Sequence, residues 1–126
     1  SCKKILKKFQ TNVKFLNFSH NPEKYFSAFD LTIAPSYQEG FGRTIVESLL
    51  ANTPVLASDI PAHKEFFNST SGVTFVKDNL FKSYSEKIYK AFNKKIDLKK
   101  VKSIVKLNFS EKLNSKKISD IYLKIL

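Results

Sequence analysis

The pattern of apolar and polar positions along the chain predicts short strands that alternate with helices. Apolar runs at residues 13–18, 31–34, 54–57 and 72–76 predict four strands. The run at 54–57 is apolar on both faces, as is usual for a strand that is buried within a parallel sheet. Alternating strands and helices imply βαβ units, so we expect an α/β protein with a short parallel sheet flanked by helices.

Helix signals fill the intervals between these strands. Residues 21–23, Asn-Pro-Glu, combine a capping side chain, a proline at the first helical position and an acid in the first turn. They predict a helix that ends near Phe29. A second helix is predicted to end near Ala51, and residues 62–67 predict a further helical turn or two.

The last third of the chain is predicted to be all helical. Ser83 and Glu86 match a capping box and precede apolar residues at helical spacing. Asp97 and Ser110 each precede another such segment and predict two more helix starts. The apolar stripe of the final helix consists of Ile118, Ile121, Tyr122 and Ile125. Residues 3–10 predict the end of another, basic helix.

The charge of the chain is unevenly distributed. The 126 residues carry a formal net charge of +11 at pH 7. Residues 9–80 hold five Lys/Arg against seven Asp/Glu, whereas residues 81–126 hold thirteen against four. Two interpretations stay open: the lysines reflect an AT-rich genome, or they form a basic face towards anionic lipid or nucleic acid. Because the segment with the candidate site is acidic, we expect no nucleic-acid partner.

Three composition features bear on the compartment and on the extent of the protein. Cys2 is the only cysteine in the sequence, which excludes an intrachain disulfide and a multi-thiol zinc site and fits a reducing compartment. No apolar run approaches the roughly 18 residues of a membrane-spanning helix. We therefore expect a cytoplasmic protein. The sequence contains no methionine, so we expect a piece of a longer protein.

The segment most informative about function is residues 34–48, APSYQEGFGRTIVES. It begins at the carboxyl end of a predicted parallel strand and opens a helix, which is where open α/β sheets bind ligands. A helix start offers backbone N–H groups and the positive end of the helix dipole to an anion. Gly40 and Gly42 leave this backbone accessible, and Glu39 and Glu47 can accept hydrogen bonds from hydroxyl groups. The combination indicates a ligand with phosphates and several hydroxyls.

The spacing of Glu39 and Glu47 resembles the E-x7-E motif of retaining, GT-B-fold glycosyltransferases of the large family 4 type. Four other segments resemble this family in the same order: VKFLNF at 13–18, FDLTIAPS at 29–36, PVLASDIP at 54–61 and GVTF at 72–75. Residues 109–112 and 121–122 are similar to its closing helix. Asn52 stands where the family usually has a glycine.

The resemblance implies a fold and an activity. Residues 1–126 would form part of a Rossmann-like, nucleotide-sugar-binding domain, the C-terminal domain of a GT-B enzyme, without the first part of that domain and without the N-terminal acceptor domain. The enzyme would transfer a hexose from a nucleotide diphosphate sugar to an unknown acceptor with retention, in the biosynthesis of a cell-surface polysaccharide or glycolipid. It would use no cofactor and no obligatory metal. The basic ends would allow peripheral contact with the inner face of the membrane.

The resemblance also assigns roles to individual residues. Glu39 would be the catalytic residue and would contact hydroxyls of the transferred sugar. Glu47 would bind the ribose, and the backbone of residues 41–44 would meet the sugar and the diphosphate. Phe18 and Ser19 would lie near the base. The implied donor-binding residues are Gly40, Phe41, Gly42, Arg43, Thr44, Glu47, Phe18 and Ser19.

Simpler interpretations stay open for several of these residues. Thr44 and Glu47 also fit a capping box, in which Glu47 would serve only the helix. Arg43 either contacts the diphosphate or pairs with one of the two glutamates. Phe41 can serve packing alone, and His63 is expected to be a surface residue or one with satisfied hydrogen bonds. For the chain as a whole, the alternative is a non-catalytic remnant or a basic binding module.

Overall fold

The computed structural model describes residues 13–92, 101–103, 105–106 and 109–125. In chain order its elements are α1 (Glu23–Phe26), β1 (Thr32–Ala34), α2 (Arg43–Leu50), β2 (Val55–Ser58), α3 (Pro61–Phe67), β3 (Val73–Val76), α4 (Phe81–Phe92) and α5 (Glu111–Ile125). Residues 101–103 and 105–106 are also helical. The predicted basic helix at 3–10 and the predicted helix start at Asp97 lie outside the described residues.

The three strands form one parallel sheet in the order β1-β2-β3, with β2 in the centre. Ile33 is paired with Leu56, and Leu56 is paired in turn with Thr74. Helix α2 joins β1 to β2, and α3 joins β2 to β3, which is the βαβ arrangement expected from the sequence pattern. The predicted α/β fold is confirmed. From residue 81 onwards, the described residues are helical except 109 and 110.

The core lies on both faces of β2, whose four residues are all buried. Successive side chains of a strand point to opposite faces of the sheet. Val55 and Ala57 accordingly pack in one cluster with α2, α3 and residues 101 and 105. Leu56 packs in a second cluster with residues of β3 and α4. Strand β2 is therefore covered on both faces, whereas Ile33 of β1 is 43% exposed.

Asn52 follows the end of α2 in a left-handed backbone conformation, with a φ of 62°. Asparagine adopts this region more readily than most residues other than glycine. The Asn52 N–H donates to the Leu49 carbonyl at 3.1 Å, and the Thr53 N–H donates to the Ser48 carbonyl at 2.9 Å. The asparagine thus provides the conformation with which many helices end at a glycine.

The strand predicted at residues 13–18 is not formed, and this prediction was wrong. Val13, Phe15 and Leu16 are 46% to 52% exposed. Because side chains on both faces of the segment stay half exposed, no buried face favours its pairing with the sheet. Instead, Leu16 and the residues that follow it line a cleft beside α2.

Helix boundaries and caps differ from the prediction at three places. Helix α1 begins at Glu23 with Pro22, rather than Asn21, at the cap position, and no side-chain hydrogen bond caps it. Helix α1 ends at Phe26 rather than near Phe29, because the N–H groups of residues 28 and 29 bond three residues back, in a tighter turn. Ser83 does not cap a helix, since α4 already begins at Phe81, after a turn in which the Leu80 N–H donates to Asp78 Oδ1 at 3.2 Å.

The predicted cap at the start of the last helix is confirmed. The Leu113 N–H donates to Ser110 Oγ at 3.3 Å, and α5 begins at the residue after Ser110. This hydrogen bond satisfies one of the backbone donors that a helix start leaves open. Of the predicted apolar stripe, the side chain of Ile118 is 55% exposed, and the side chains of residues 121, 122 and 125 lie outside the description.

Candidate functional site

The loop between β1 and α2 contains Glu39, Gly40 and Gly42 and follows the carboxyl end of β1. Gly42 immediately precedes α2 and has φ 93° and ψ 52°. Its carbonyl accepts the Ile45 N–H at 3.0 Å. In the described part of the chain, no side-chain hydrogen bond from the capping position closes this helix start. The first turn of α2 therefore presents backbone N–H groups and the positive end of the helix dipole.

The two glycines of this loop have different surroundings. A Cβ added to Gly42 would lie 3.1 Å from Cδ2 of His63 and 3.3 Å from side-chain atoms of both Ile45 and Phe67. Gly42 is buried, so both its backbone conformation and its packing require glycine. A Cβ added to Gly40 would have no atom within 4 Å. Gly40 is therefore the glycine that leaves open space in front of the loop.

Glu39 belongs to a group of four residues, here called the Glu39 cluster: Ser36, Glu39, Ser58 and His63. Ser36 Oγ donates to Glu39 Oε1, and Ser58 Oγ donates to the Ser36 carbonyl. His63 Nδ1 lies 2.9 Å from the Ser58 carbonyl, and Nε2 of the same ring lies 3.8 Å from Glu39 Oε2. The Glu39 side chain is 29% exposed. The hydrogen bond from Ser36 thus holds the carboxylate, and part of the Glu39 side chain stays accessible.

His63 is the site residue that sequence reasoning missed. Its side chain is completely buried, and among the described residues its Nε2 has no hydrogen-bond partner. The expectation of a surface residue or a satisfied histidine was therefore wrong. The available signal was its position in the first turn of the helix that follows the buried strand β2.

A cleft of about 670 Å³ opens between the start of α2 and the segment before α1. Its walls include five of the predicted donor-binding residues, Phe18, Ser19, Arg43, Thr44 and Glu47. Aromatic side chains from α1 and the turn after it complete the wall. Glu39 and Gly40 are not among the residues that line this cleft. The structure therefore brings together two parts of the predicted site and leaves Glu39 beside them.

Glu47 lies in the second turn of α2 and does not form a capping box. The helix begins at Arg43, so Thr44 is a helical residue and cannot be the cap, and this simpler interpretation was wrong. Glu47 Oε1 instead lies 3.4 Å from a guanidinium nitrogen of Arg43, in a pair with side chains 31% and 85% exposed. Since exposed pairs of this spacing contribute at most about 0.5 kcal/mol, both groups are free to exchange this contact for a ligand.

The other predicted residues divide between the cleft and the core. Phe18 is 87% exposed, and its ring meets His20 edge to face at 5.0 Å. Ser19 Oγ accepts the Asn21 N–H at 3.2 Å. The Phe41 ring packs against Phe66, Phe67 and Phe109 at 4.8 to 5.9 Å. The Phe41 side chain is thus used for packing, and its contribution at the loop is limited to the backbone.

Tyr84 adds a neutral polar group near the carboxyl end of β2. Burial raises the pKa of this phenol above its ordinary value of 10.0, an effect that a hydrogen bond with Ser58 opposes. The phenol also donates to Asn79 Oδ1 at 3.0 Å. Tyr84 therefore stays protonated at neutral pH beside Ser58, a member of the Glu39 cluster.

Neither a metal-binding cluster nor a membrane-spanning helix occurs among the described residues. Within residues 13–92, 101–103, 105–106 and 109–125, no group of three or more His, Cys, Asp or Glu side chains is arranged to hold a metal ion. No helix in this described part combines the length and the apolar character that crossing a bilayer requires.

Known proteins with similar sequences are sugar transferases. A 62-residue stretch is 39% identical to the O-antigen biosynthesis glycosyltransferase WclY of Escherichia coli, and covers 49% of this chain and 18% of that protein. Over 120 residues, the chain is 22% identical to the poly(ribitol-phosphate) alpha-N-acetylglucosaminyltransferase of Staphylococcus aureus (strain COL), which covers 94% of this chain and 24% of that protein. The chain thus spans less than a quarter of the length of these relatives.

A solved glycosyltransferase structure and a glycosyltransferase family also match this chain. A glycosyltransferase from Rickettsia africae ESF-5 superposes with a TM-score of 0.84 and 26% identity, over 98% of this chain and 35% of that one. The family described as glycosyl transferases group 1 matches residues 2–107, which include both strand-helix units and the whole candidate site. The chain therefore belongs to the glycosyl transferases group 1 family.

Proposed function

We propose that the chain is the nucleotide-sugar-binding part of a retaining, GT-B-type glycosyltransferase of the family 4 type, which transfers a hexose to an acceptor. The observation that carries the proposal is the position of two carboxylates around one helix start. Glu39 lies in the loop before α2, and Glu47 lies on the second turn of α2 at the wall of the cleft. A nucleotide diphosphate sugar has hydroxyl groups at both ends of an anion, which suits this arrangement.

The nucleotide occupies the cleft in this proposal. Glu47, with its carboxylate partly exposed, accepts hydrogen bonds from the ribose hydroxyls. Phe18 offers an exposed aromatic face to the base, and Ser19 adds a polar group next to it. The volume of the cleft, about 670 Å³, falls within the range usual for small-molecule sites.

The diphosphate and the sugar extend from the cleft towards Gly40. The uncapped start of α2, at Arg43 and Thr44, faces the diphosphate with backbone N–H groups and the positive end of the helix dipole. These groups stabilise the negative charge that grows on the leaving diphosphate as the sugar is transferred. The open space at Gly40 admits the sugar, whose hydroxyls donate to Glu39.

The biological setting follows from the relatives as a further part of the proposal. Two relatives are named for O-antigen synthesis, the WclY glycosyltransferase and the O-antigen chain mannosyltransferase RfbU of Salmonella typhimurium, to which 64 residues are 39% identical. We place the chain accordingly in a cytoplasmic enzyme that builds a cell-surface polysaccharide or glycolipid at the inner face of the membrane. Its lysine-rich residues 81–126 supply the attraction to anionic lipid.

The proposal is tested by calorimetric titration of the 126-residue chain with the diphosphates of uridine, guanosine, adenosine and thymidine. One of them is expected to bind, and Glu47→Gln is expected to weaken it roughly 10- to 100-fold, as the loss of a charge-assisted hydrogen bond does. Glu65→Gln, at an exposed position of α3, is the matched control and should bind as the parent chain does. Circular dichroism checks that each variant is folded. Binding of none of the four, or equal binding by Glu47→Gln, would contradict the proposal.

A further inference from the structure

His63 combines two properties that rarely occur together in a side chain without a role in the site. It is completely buried, yet one of its two ring nitrogens has no hydrogen-bond partner among the described residues. Buried polar atoms are nearly always hydrogen-bonded, so an exception requires an explanation. That nitrogen, Nε2, lies 3.8 Å from Oε2 of Glu39. In the proposed function, this carboxylate binds the transferred sugar.

The hydrogen-bond chemistry of the ring limits what Nε2 can do. Nδ1 lies 2.9 Å from the Ser58 carbonyl oxygen, which can only accept, so Nδ1 carries a hydrogen and donates it. In a neutral imidazole, Nε2 would then present a lone pair to a carboxylate oxygen, and two acceptors repel each other. A second hydrogen on Nε2 removes this conflict and turns the contact into an ion pair.

Glu39 is the charged group that can balance such a cation. Among the other charged groups of the neighbouring elements, Glu65 of α3 is exposed to solvent, and two ion pairs account for four more. Asp59, which follows β2, lies 3.0 Å from Nζ of Lys64 on α3. Arg43 of α2 points to Glu47 at 3.4 Å. The Ser58 carbonyl and Gly42, which also lie against the imidazole, are neutral.

We propose that His63 is a positioning residue for Glu39: it carries a hydrogen on both ring nitrogens and holds the Glu39 carboxylate as a buried imidazolium partner. Ser36 holds Oε1 and His63 holds Oε2, so the carboxylate plane is fixed from both sides. Each oxygen keeps a lone pair for a ligand hydroxyl. This inference rests on the proposed function for the ligand alone, because the pairing of the two side chains is a property of the unliganded chain.

The first test is ¹⁵N NMR of the histidine side chains in the 126-residue chain at neutral pH, without a ligand. His63 and His20 are the only histidines, and a His20→Gln variant assigns the two sets of signals. Both nitrogens of His63 are expected to show the shifts of protonated nitrogens, and Glu39→Gln is expected to return Nε2 to the unprotonated shift. A neutral His63 in the parent chain, unchanged by Glu39→Gln, would overturn the proposal whatever the chain binds.

The second test separates the two nitrogens by substitution. The amide nitrogen of His63→Gln reaches the position of Nε2 and can still donate to Glu39, whereas that of His63→Asn reaches the position of Nδ1 and can donate only to Ser58. We expect His63→Asn to weaken binding of the nucleotide sugar roughly 10-fold and to leave binding of the nucleoside diphosphate unchanged. His63→Gln should stay within about 3-fold of the parent chain for both ligands.

A role in packing alone would give a different pattern, in which both substitutions weaken both ligands in proportion to their loss of stability, and this pattern would overturn the proposal. Urea unfolding of the two variants provides that comparison. If no nucleotide sugar binds to the parent chain, the proposed function fails, and the NMR result still decides whether His63 and Glu39 form the ion pair. The two failures are therefore distinguishable.

Discussion

Replacement of Gly42 by alanine tests how the start of α2 is built. The residue has a φ of 93°, and a side chain in the left-handed region costs about 1–2 kcal/mol. The new Cβ would also lie 3.1 Å from the His63 ring and 3.3 Å from Ile45 and Phe67, which cannot move freely in the core. Overpacking of this kind costs about 1–3 kcal/mol. We therefore expect Gly42→Ala to lower the free energy of unfolding by about 2–5 kcal/mol.

Gly40→Ala is the matched control in the same loop. Its added methyl group meets no atom within 4 Å, and its backbone is outside the left-handed region. The free energy of unfolding is expected to change by less than about 0.5 kcal/mol. Urea unfolding, followed by circular dichroism, gives both values from the shift of the midpoint at constant slope. Equal stability of the two variants would refute the structure described for this helix start.

Three further outcomes are expected. Because burial raises the pKa of Tyr84, its phenol resists ionisation in the folded chain, so the free energy of unfolding should fall as the pH rises above about 10, and less steeply for Tyr84→Phe. In an active transferase that contains this chain, Glu47→Ala should raise the donor KM with little change in kcat, whereas Glu39→Ala should lower kcat; steady-state kinetics distinguish the two. The chain should sediment with anionic but not with neutral vesicles, and equal recovery would favour genome composition as the source of the lysines.

The fold was predictable to the extent that hydrophobicity alone determines it. Strand β2 was predicted correctly because it is buried on both faces, and a short apolar run is typical of that environment. The strand predicted at residues 13–18 failed because pairing with a neighbour is a long-range property that alternation along the chain does not contain. The helix start at Ser83 failed for a local reason, since the turn at Asp78 begins α4 earlier.

The loop of the candidate site was predictable from the sequence, but the residues that pack against this loop were not. The spacing of Glu39 and Glu47 with the two glycines pointed to the helix start of α2. The capping box of Thr44 was a wrong alternative because Gly42, in a left-handed conformation, occupies the cap position and the helix starts two residues earlier. His63 was missed because its contacts with the Ser58 carbonyl and with Glu39 depend on how β2 and α3 meet the loop, and no local pattern records such contacts.

The central claim, that a nucleotide sugar binds around the start of α2, is tested most directly by NMR mapping of backbone amides in the 126-residue chain. The ligand would be the nucleoside diphosphate that binds in calorimetry, compared with the same nucleotide carrying a hexose. The account predicts that the nucleotide shifts the signals of residues 18–19 and 43–47, and that the hexose adds shifts at residues 39–41. Shifts confined to the lysine-rich helix α5, or spread evenly over the basic residues, would contradict it.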